Sequence, residues 1–256
     1  MREAQHIPEL ATDPNSAFPD PEQCHHPDGL LAWGGDLSPP RLMNAYSEGI
    51  FPWYEPGSPI LWWSPDPRAV FVPSVCMPSR RLVRTLGQPG WRVSADAEFS
   101  AVISACAEPR SAQPGTWITT AMKEAYIALH QLGVAHSIEV WFDDDLVGGL
   151  YGVSLGRVFF AESKFHRRTD ASKIALAYLM VLMRRWSFLL VDCQIPNPHL
   201  MRLGAQMMPR QSFRQRIRTG LTDQPSHPHH RPGQWLNDCP DLRTIDWPSQ
   251  RLVKSD

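Results

Sequence analysis

Three polar side chains embedded in apolar sequence are the residues of this chain best placed to do chemistry. Phe188 to Ile195 alternates so that Phe188, Leu190, Asp192 and Gln194 share one face of a strand, and Leu189, Val191, Cys193 and Ile195 share the other. Asp192 and Gln194 then project together from a surface where an unpaired polar group costs about 1 to 3 kcal/mol. Two readings satisfy them: a self-contained core pair, or Asp192 orienting Gln194 towards a reacting centre. Glu162 closes a further apolar strand, Arg157 to Ala161, ahead of the polar loop Ser163 to Thr169. A carboxylate between a buried strand and a helix start is poorly placed to serve solubility alone. Cys193 falls on the apolar face, without the lowered pKa and neighbouring base that a thiol nucleophile needs.

The elements that would carry Glu162 lie between Ala135 and Lys173. Ser137, Glu139 and Trp141 alternate with Ile138, Val140 and Phe142, the period of a strand with one buried face. Asp143 to Asp145 reads as a hairpin tip, and Leu146 to Val153 as the returning strand. Its Gly148, Gly149 and Gly152 suggest a bulge or a close approach of backbone to a ligand. A turn at Ser154 to Gly156 leads to the strand that delivers Glu162. The helix from Ala171 to about Arg185, capped by Asp170 or Ser172, is apolar nearly all round and so is buried on several sides. Further helices are expected from Pro39 to Gly49, Pro78 to Leu86, Asp96 to Ala107 and Thr119 or Thr120 to Leu132. Two more run from Asn197 to Gly204 and from Pro209 to Thr219.

Composition narrows the function classes. In 256 residues, 43% are hydrophobic and 20% charged, as in an ordinary globular protein. The net charge of -1 confines any nucleic-acid contact to a local patch. Five cysteines without a C-x-x-C pair point to a reducing, cytoplasmic setting. No signal peptide is visible, and the longest apolar run, Ile174 to Met183, is half of what a membrane span requires. Cys24-His25-His26 cannot close a tetrahedral metal site alone, and neither G-x-G-x-x-G nor a P-loop runs through Gly34-Gly35. No metal or other cofactor is expected. The 25 prolines and 10 tryptophans concentrate attention on Phe51 to Tyr54 and Leu61 to Arg68, where stiff loops present flat rings to a core or a stacked ligand.

A set of ordered blocks carries a resemblance. Gly29-Leu30-Leu31-Ala32 with Gly34-Gly35-Asp36-Leu37, Gly49-Ile50-Phe51-Pro52-Trp53, Leu61 through Arg68, Gly115-Thr116-Trp117-Ile118-Thr119, Ala135 through Trp141, Glu162-Ser163, Ala171-Ser172-Lys173 and Asp192-Cys193-Gln194 closely resemble the leucyl/phenylalanyl-tRNA–protein transferase family over about residues 15 to 215. The resemblance implies an α+β fold, with a small N-terminal subdomain (1–66), a GNAT-like acyltransferase domain (67–222) and a mostly irregular tail (223–256). It also implies transfer of Leu, Phe or sometimes Met from aminoacyl-tRNA to proteins with N-terminal Arg or Lys, marking them for degradation. By motif match, Asp192 and Gln194 fall on the family's catalytic pair and Glu162 on its essential acidic residue. Trp53 and Trp117 match residues that position the aminoacyl-adenosine, and Leu150 and Phe159 match the side-chain pocket. Arg80, Arg81 and Arg84 are the expected tRNA contacts. The chain departs from the family at Ala161-Glu162-Ser163-Lys164-Phe165, where Gly-Glu-Ser-Met-Phe is usual, and in the helix after Gln194.

Such a reaction suits the trio. An aminoacyl ester is already activated, and an α-amino group with a pKa near 7.7 to 8.0 is partly neutral at pH 7. Orientation alone supplies about 7 to 11 kcal/mol. The non-titrating Gln194 carbonyl, polarised by Asp192, would accept a hydrogen bond from the attacking amine, while Glu162 orients the adenosine or its free amino group. Two rivals stand beside this reading. A CoA-dependent acetyltransferase would want a glycine-rich pyrophosphate turn, which Arg167 to Lys173 lacks. A non-catalytic RNA-binding module would use Arg80, Arg81, Arg84, Lys164, Arg167, Arg168 and the arginines from 210 to 218. A monomer without membrane contact is the expected state.

Overall fold

The computed structural model describes residues 7–76, 78–109 and 116–222, together with 235, 240, 241, 244 and 245. The N-terminal part holds β1 (Glu9–Leu10), β2 (Leu30–Gly34), α1 (Pro39–Ser47), β3 (Phe51–Pro52) and β4 (Leu61–Trp63). Then come β5 (Arg68–Phe71), α2 (Arg80–Leu86), β6 (Trp91–Ala95), α3 (Phe99–Ala107) and α4 (Thr120–Gln131). The remainder is β7 (Ala135–Phe142), β8 (Asp145–Leu155), β9 (Val158–His166), α5 (Ala171–Arg185), β10 (Leu190–Asp192), α6 (Pro198–Arg202), β11 (Gln206–Met208) and α7 (Arg210–Thr222). The result is the expected α+β class.

Two sheets form, one in the order β1-β2-β4-β3 and one of seven strands in the order β11-β5-β10-β9-β8-β7-β6. In the large sheet every pair is antiparallel except β9 with β10, the two strands that α5 connects. Side chains that alternate along these strands feed two separate apolar clusters. Val70, Tyr151, Val153, Val158, Phe160 and Leu190 pack with α1, α3, α4 and α7. Phe71, Leu150, Phe159 and Val191 pack with α5 and α2 on the opposite face. That second cluster also takes Trp235, which is fully buried and stacks on His136 with ring centroids 4.2 Å apart. The rest of the tail expected from residue 223 lies almost wholly outside the described residues, as do His227 to His230.

Several expectations change in the structure. The polar loop from Ser163 does not begin there: β9 runs on to His166, because Gly148 to Tyr151 of β8 continue to pair with it. The suspected bulge exists. Gly152 pairs with Ala161 and Tyr151 with Ser163, so Glu162 is the extra residue. The glycines of β8 admit neighbouring protein rather than ligand. A Cβ on Gly152 would sit 2.6 Å from the Phe159 ring, and one on Gly148 2.6 Å from the Ala171 Cβ. Asp170 occupies the N-cap of α5 with φ 69° but makes no side-chain cap bond; its carboxylate takes Lys173 instead. Asp96 opens no helix: it follows the unforeseen strand β6, and α3 starts at Phe99. The strand expected from Phe188 to Ile195 is reduced to three residues. In α7, Arg210 and Arg214 are buried rather than solvated, and Arg214 meets Asp20, Glu22 and Glu48.

The tight fit at Gly152 predicts a large penalty for one methyl group. Gly152→Ala is expected to lower stability by about 3 kcal/mol or more in urea unfolding, because backbone and the Phe159 ring must both shift. Gly87→Ala, at a helix end with φ -76° and its nearest neighbour at 3.6 Å, is expected to stay within about 0.5 kcal/mol.

Candidate active site

The short strand β10 owes its end to a charge. Asp192 is fully buried, and its carboxylate receives Arg68 Nε and Nη2 at 2.9 Å each. The Arg68 guanidinium, equally buried, lies over the rings of Phe51 at 4.9 Å and Phe213 at 4.7 Å and donates to the Gly49 carbonyl at 2.9 Å. Asp192 Oδ1 also accepts the backbone N–H of Gln194 at 3.0 Å. That bond turns the chain, and Gln194 takes a left-handed φ of 56°, which a residue with a Cβ adopts only when held. Alternation along a strand therefore does not place Gln194. Asp192 holds its backbone, not its amide.

The turn aims the Gln194 side chain at the bulge on β9. Gln194 Nε2 donates to Glu162 Oε1 at 3.2 Å. The same carboxylate accepts the Tyr46 hydroxyl on Oε1 at 2.7 Å and the Tyr126 hydroxyl on Oε2 at 3.0 Å, and those two hydroxyls also touch each other. Tyr46 comes from α1 and Tyr126 from α4, so three separate parts of the chain converge on one carboxylate. Burial raises the pKa of Glu162 to about 7, against the pull of the two tyrosine hydrogen bonds; Asp192 adds to the rise and Arg68 opposes it. Burial, with Glu162 next, keeps both tyrosines protonated far above the ordinary phenol range, so they remain donors.

β9 and β10 pair through Phe160 and Asp192 and then part company. The gap is a cavity of about 220 Å³ with Glu162, Ser163, Lys164, Gln194 and Asn197 on its polar side and Leu150, Leu176 and Leu200 among its apolar lining. Its walls are aliphatic, not aromatic. Cys193 lines it too, with a thiol pushed up to about 12 by burial, which leaves it un-ionised.

The structure brings Asp192, Gln194 and Glu162 into one hydrogen-bonded chain and puts Leu150 on the cavity wall. Phe159 is elsewhere: it is fully buried on the Trp235 side, 5.7 Å from that ring. Trp53 is 41% exposed and packs on Trp63, whose Nε1 donates to the Trp53 carbonyl. Trp117 is half-buried, and its segment is tied to that of Trp53 by Tyr54 and Thr119 hydroxyls 3.1 Å apart. Arg80, Arg81 and Arg84 sit on α2 and do not line the cavity, and Arg81 is 3.5 Å from Asp170. The sequence reading missed Arg68, Tyr46 and Tyr126. Only Arg68 carried a signal, as the charged end of the otherwise aromatic and proline-rich block that begins at Leu61.

The family profile described as Leucyl/phenylalanyl-tRNA protein transferase matches residues 70–218, and the profile of its N-terminal domain matches 35–66. A protein from Alkalilimnicola ehrlichii named Leucyl/phenylalanyl-tRNA–protein transferase is 53% identical over 88% of this chain and 86% of its own. One of the same name from Aromatoleum aromaticum is 51% identical over 90% and 94%. Among solved structures, a GCN5-related N-acetyltransferase from Kribbella flavida aligns over 67% of this chain and 61% of its own, with TM-score 0.36 and 13% identity. By the family profile and the two relatives that are more than half identical, the chain belongs to the leucyl/phenylalanyl-tRNA–protein transferase family of aminoacyltransferases.

Proposed function

We propose that this chain moves Leu, Phe or Met from aminoacyl-tRNA to the N-terminal Arg or Lys of acceptor proteins in the cytoplasm, feeding their N-degron-dependent degradation, and acts as a monomer without added cofactor. The observation that carries the reading is the Glu162 carboxylate, held by Tyr46, Tyr126 and Gln194 beside an aliphatic cavity. Leu150, Leu176 and Leu200 suit an aliphatic or aromatic apolar side chain that carries no charge of its own. Trp53 and Trp117 serve the terminal adenosine, and Phe159 acts from behind the wall by supporting Gly152 and β9. Arg80, Arg81 and Arg84 serve tRNA phosphates.

In this reaction the acceptor's neutral α-amine attacks the ester carbonyl. A C–N bond forms, the C–O bond to the terminal ribose breaks, one proton leaves nitrogen and one ends on the departing oxygen. The Nε2 of Gln194 is committed to Glu162, which leaves its Oε1 to accept a hydrogen bond from the attacking amine. Glu162 fixes that amide and offers negative charge to the ammonium-like nitrogen as the bond forms. Asp192, saturated by Arg68 and the Gln194 backbone, is a positioning residue that shapes the turn rather than touching substrate.

With labelled leucyl-tRNA and a peptide beginning with Arg, wild type is expected to form the extended peptide. Glu162→Gln and Gln194→Ala are expected to lower kcat/KM about a hundredfold or more. Undiminished transfer in both would remove the site, whereas RNA binding without transfer, or tight acetyl-CoA binding in a titration, would favour the rivals. The pH profile supplies a second test. A reaction that needs ionised Glu162 rises through pH about 7. Tyr126→Phe deletes a hydrogen bond that lowers the Glu162 pKa, so its midpoint moves to higher pH; an unmoved midpoint would detach Glu162 from the reaction.

A further inference from the structure

Leu176 of α5 lines the cavity beside Glu162 with one edge and a second hollow of about 100 Å³ with another. The floor of this second hollow is apolar, with Leu82, Met180 and Leu203. Two cations stand over it, Lys173 at the start of α5 and Arg202 at the end of α6. The same positive character continues to the first cavity, whose polar side includes Lys164. His199 of α6 registers the field: after burial, the charges of Lys164, Arg202, Lys173 and His166 all act to depress its pKa. On the other side the patch meets α2, which bears Arg80, Arg81 and Arg84 and packs against α5. Asp170 tempers this charge, in contact with Lys173 and Arg81. Arg202 has no ion-pair partner among the described residues. On a chain of net charge -1, this is a local cationic track that runs from α2 to the mouth of the reactive cavity.

We propose that the second hollow is a nucleotide subsite, which takes a base of the single-stranded 3′ end of tRNA on its apolar floor while Lys173 and Arg202 meet the flanking phosphates. The inference rests on the aminoacyl-tRNA reading of the neighbouring cavity. An apolar patch flanked by cations fits a nucleotide, whose base is flat and weakly polar and whose backbone is anionic. It does not fit the acceptor: a polypeptide beginning with Arg or Lys brings positive charge and is repelled by Lys164, Lys173 and Arg202. The track therefore assigns separate approaches to the two substrates. RNA comes over α2, α5 and α6, and the acceptor amine enters from another side of Gln194.

The test compares two leucyl donors, leucyl-adenosine without phosphate and the leucyl ester of the trinucleotide CCA, each with an Arg-initiated peptide. Arg202 is exposed, so its variants are expected to fold. Arg202→Glu is expected to lower kcat/KM for the CCA ester about tenfold, as for a lost charge-assisted contact, while leucyl-adenosine stays within about twofold. Arg202→Lys is expected to keep most of the activity with both. For Arg202→Ala, the salt dependence with the CCA ester is expected to be shallower by about 0.7 in log-log slope, one phosphate contact on a single strand. Equal losses with both donors, or no loss with the CCA ester, overturn the subsite. If wild type transfers leucine from neither donor nor from intact leucyl-tRNA, the aminoacyl-transfer reading itself falls.

Discussion

The ion pair between Arg68 and Asp192 is the interaction on which the site depends. Both groups are removed from water, so each survives only because the other is present, and truncating one side of such a pair costs about 3 to 5 kcal/mol. The pair does more than balance charge. Its guanidinium joins the Gly49 carbonyl after α1, the Phe51 ring of β3 and the Phe213 ring of α7, while its carboxylate ends β10. The small sheet, the large sheet and the last described helix are thus registered against one point. Gln194 inherits its left-handed backbone from that registration.

A second consequence is electrostatic. The buried Asp192 raises the Glu162 pKa and the buried Arg68 lowers it, while hydrogen bonds from two phenols oppose the larger effect of desolvation. The outcome is a carboxylate that titrates near neutrality, at about 7. Such balance suits aminoacyl transfer, which asks for an oriented amine and a charge that grows only as the bond forms. It also divides labour among residues that look alike in sequence: Asp192 is spent on architecture, and Glu162 faces the cavity.

How much of this was legible before folding can be said residue by residue. Periodicity found β7, β8 and α5, because each buries one face or most of its surface, and the bulge suggested by the glycines of β8 exists opposite Gly152, with its extra residue, Glu162, on β9. It could not say that Gly148 and Gly152 yield to Ala171 and Phe159, since nothing local identifies the neighbour. The three polar residues stood out through residue type and the structure joins them by hydrogen bonds, while the ordered motif blocks supplied the family. Alternation put Asp192 and Gln194 side by side for the wrong reason: a tertiary ion pair, 124 residues apart in sequence, stopped the strand. Tyr46 and Tyr126 were invisible for a related cause. On their helices they read as ordinary core positions, and only the packing of α1 and α4 over β9 turns their hydroxyls to one carboxylate. Charge counting likewise misread α7, whose Arg210 and Arg214 face inward.

Trp235 gives the chain an order of assembly. Its indole completes the stack with His136 and borders Phe159 of β9, the strand that also bears Glu162. During synthesis, β7, β8 and β9 leave the ribosome before residue 235 does, so one face of the sheet waits for an aromatic ring that comes later than any other among the described residues. A nascent chain interrupted in that interval leaves the His136 and Phe159 rings without the indole that covers them.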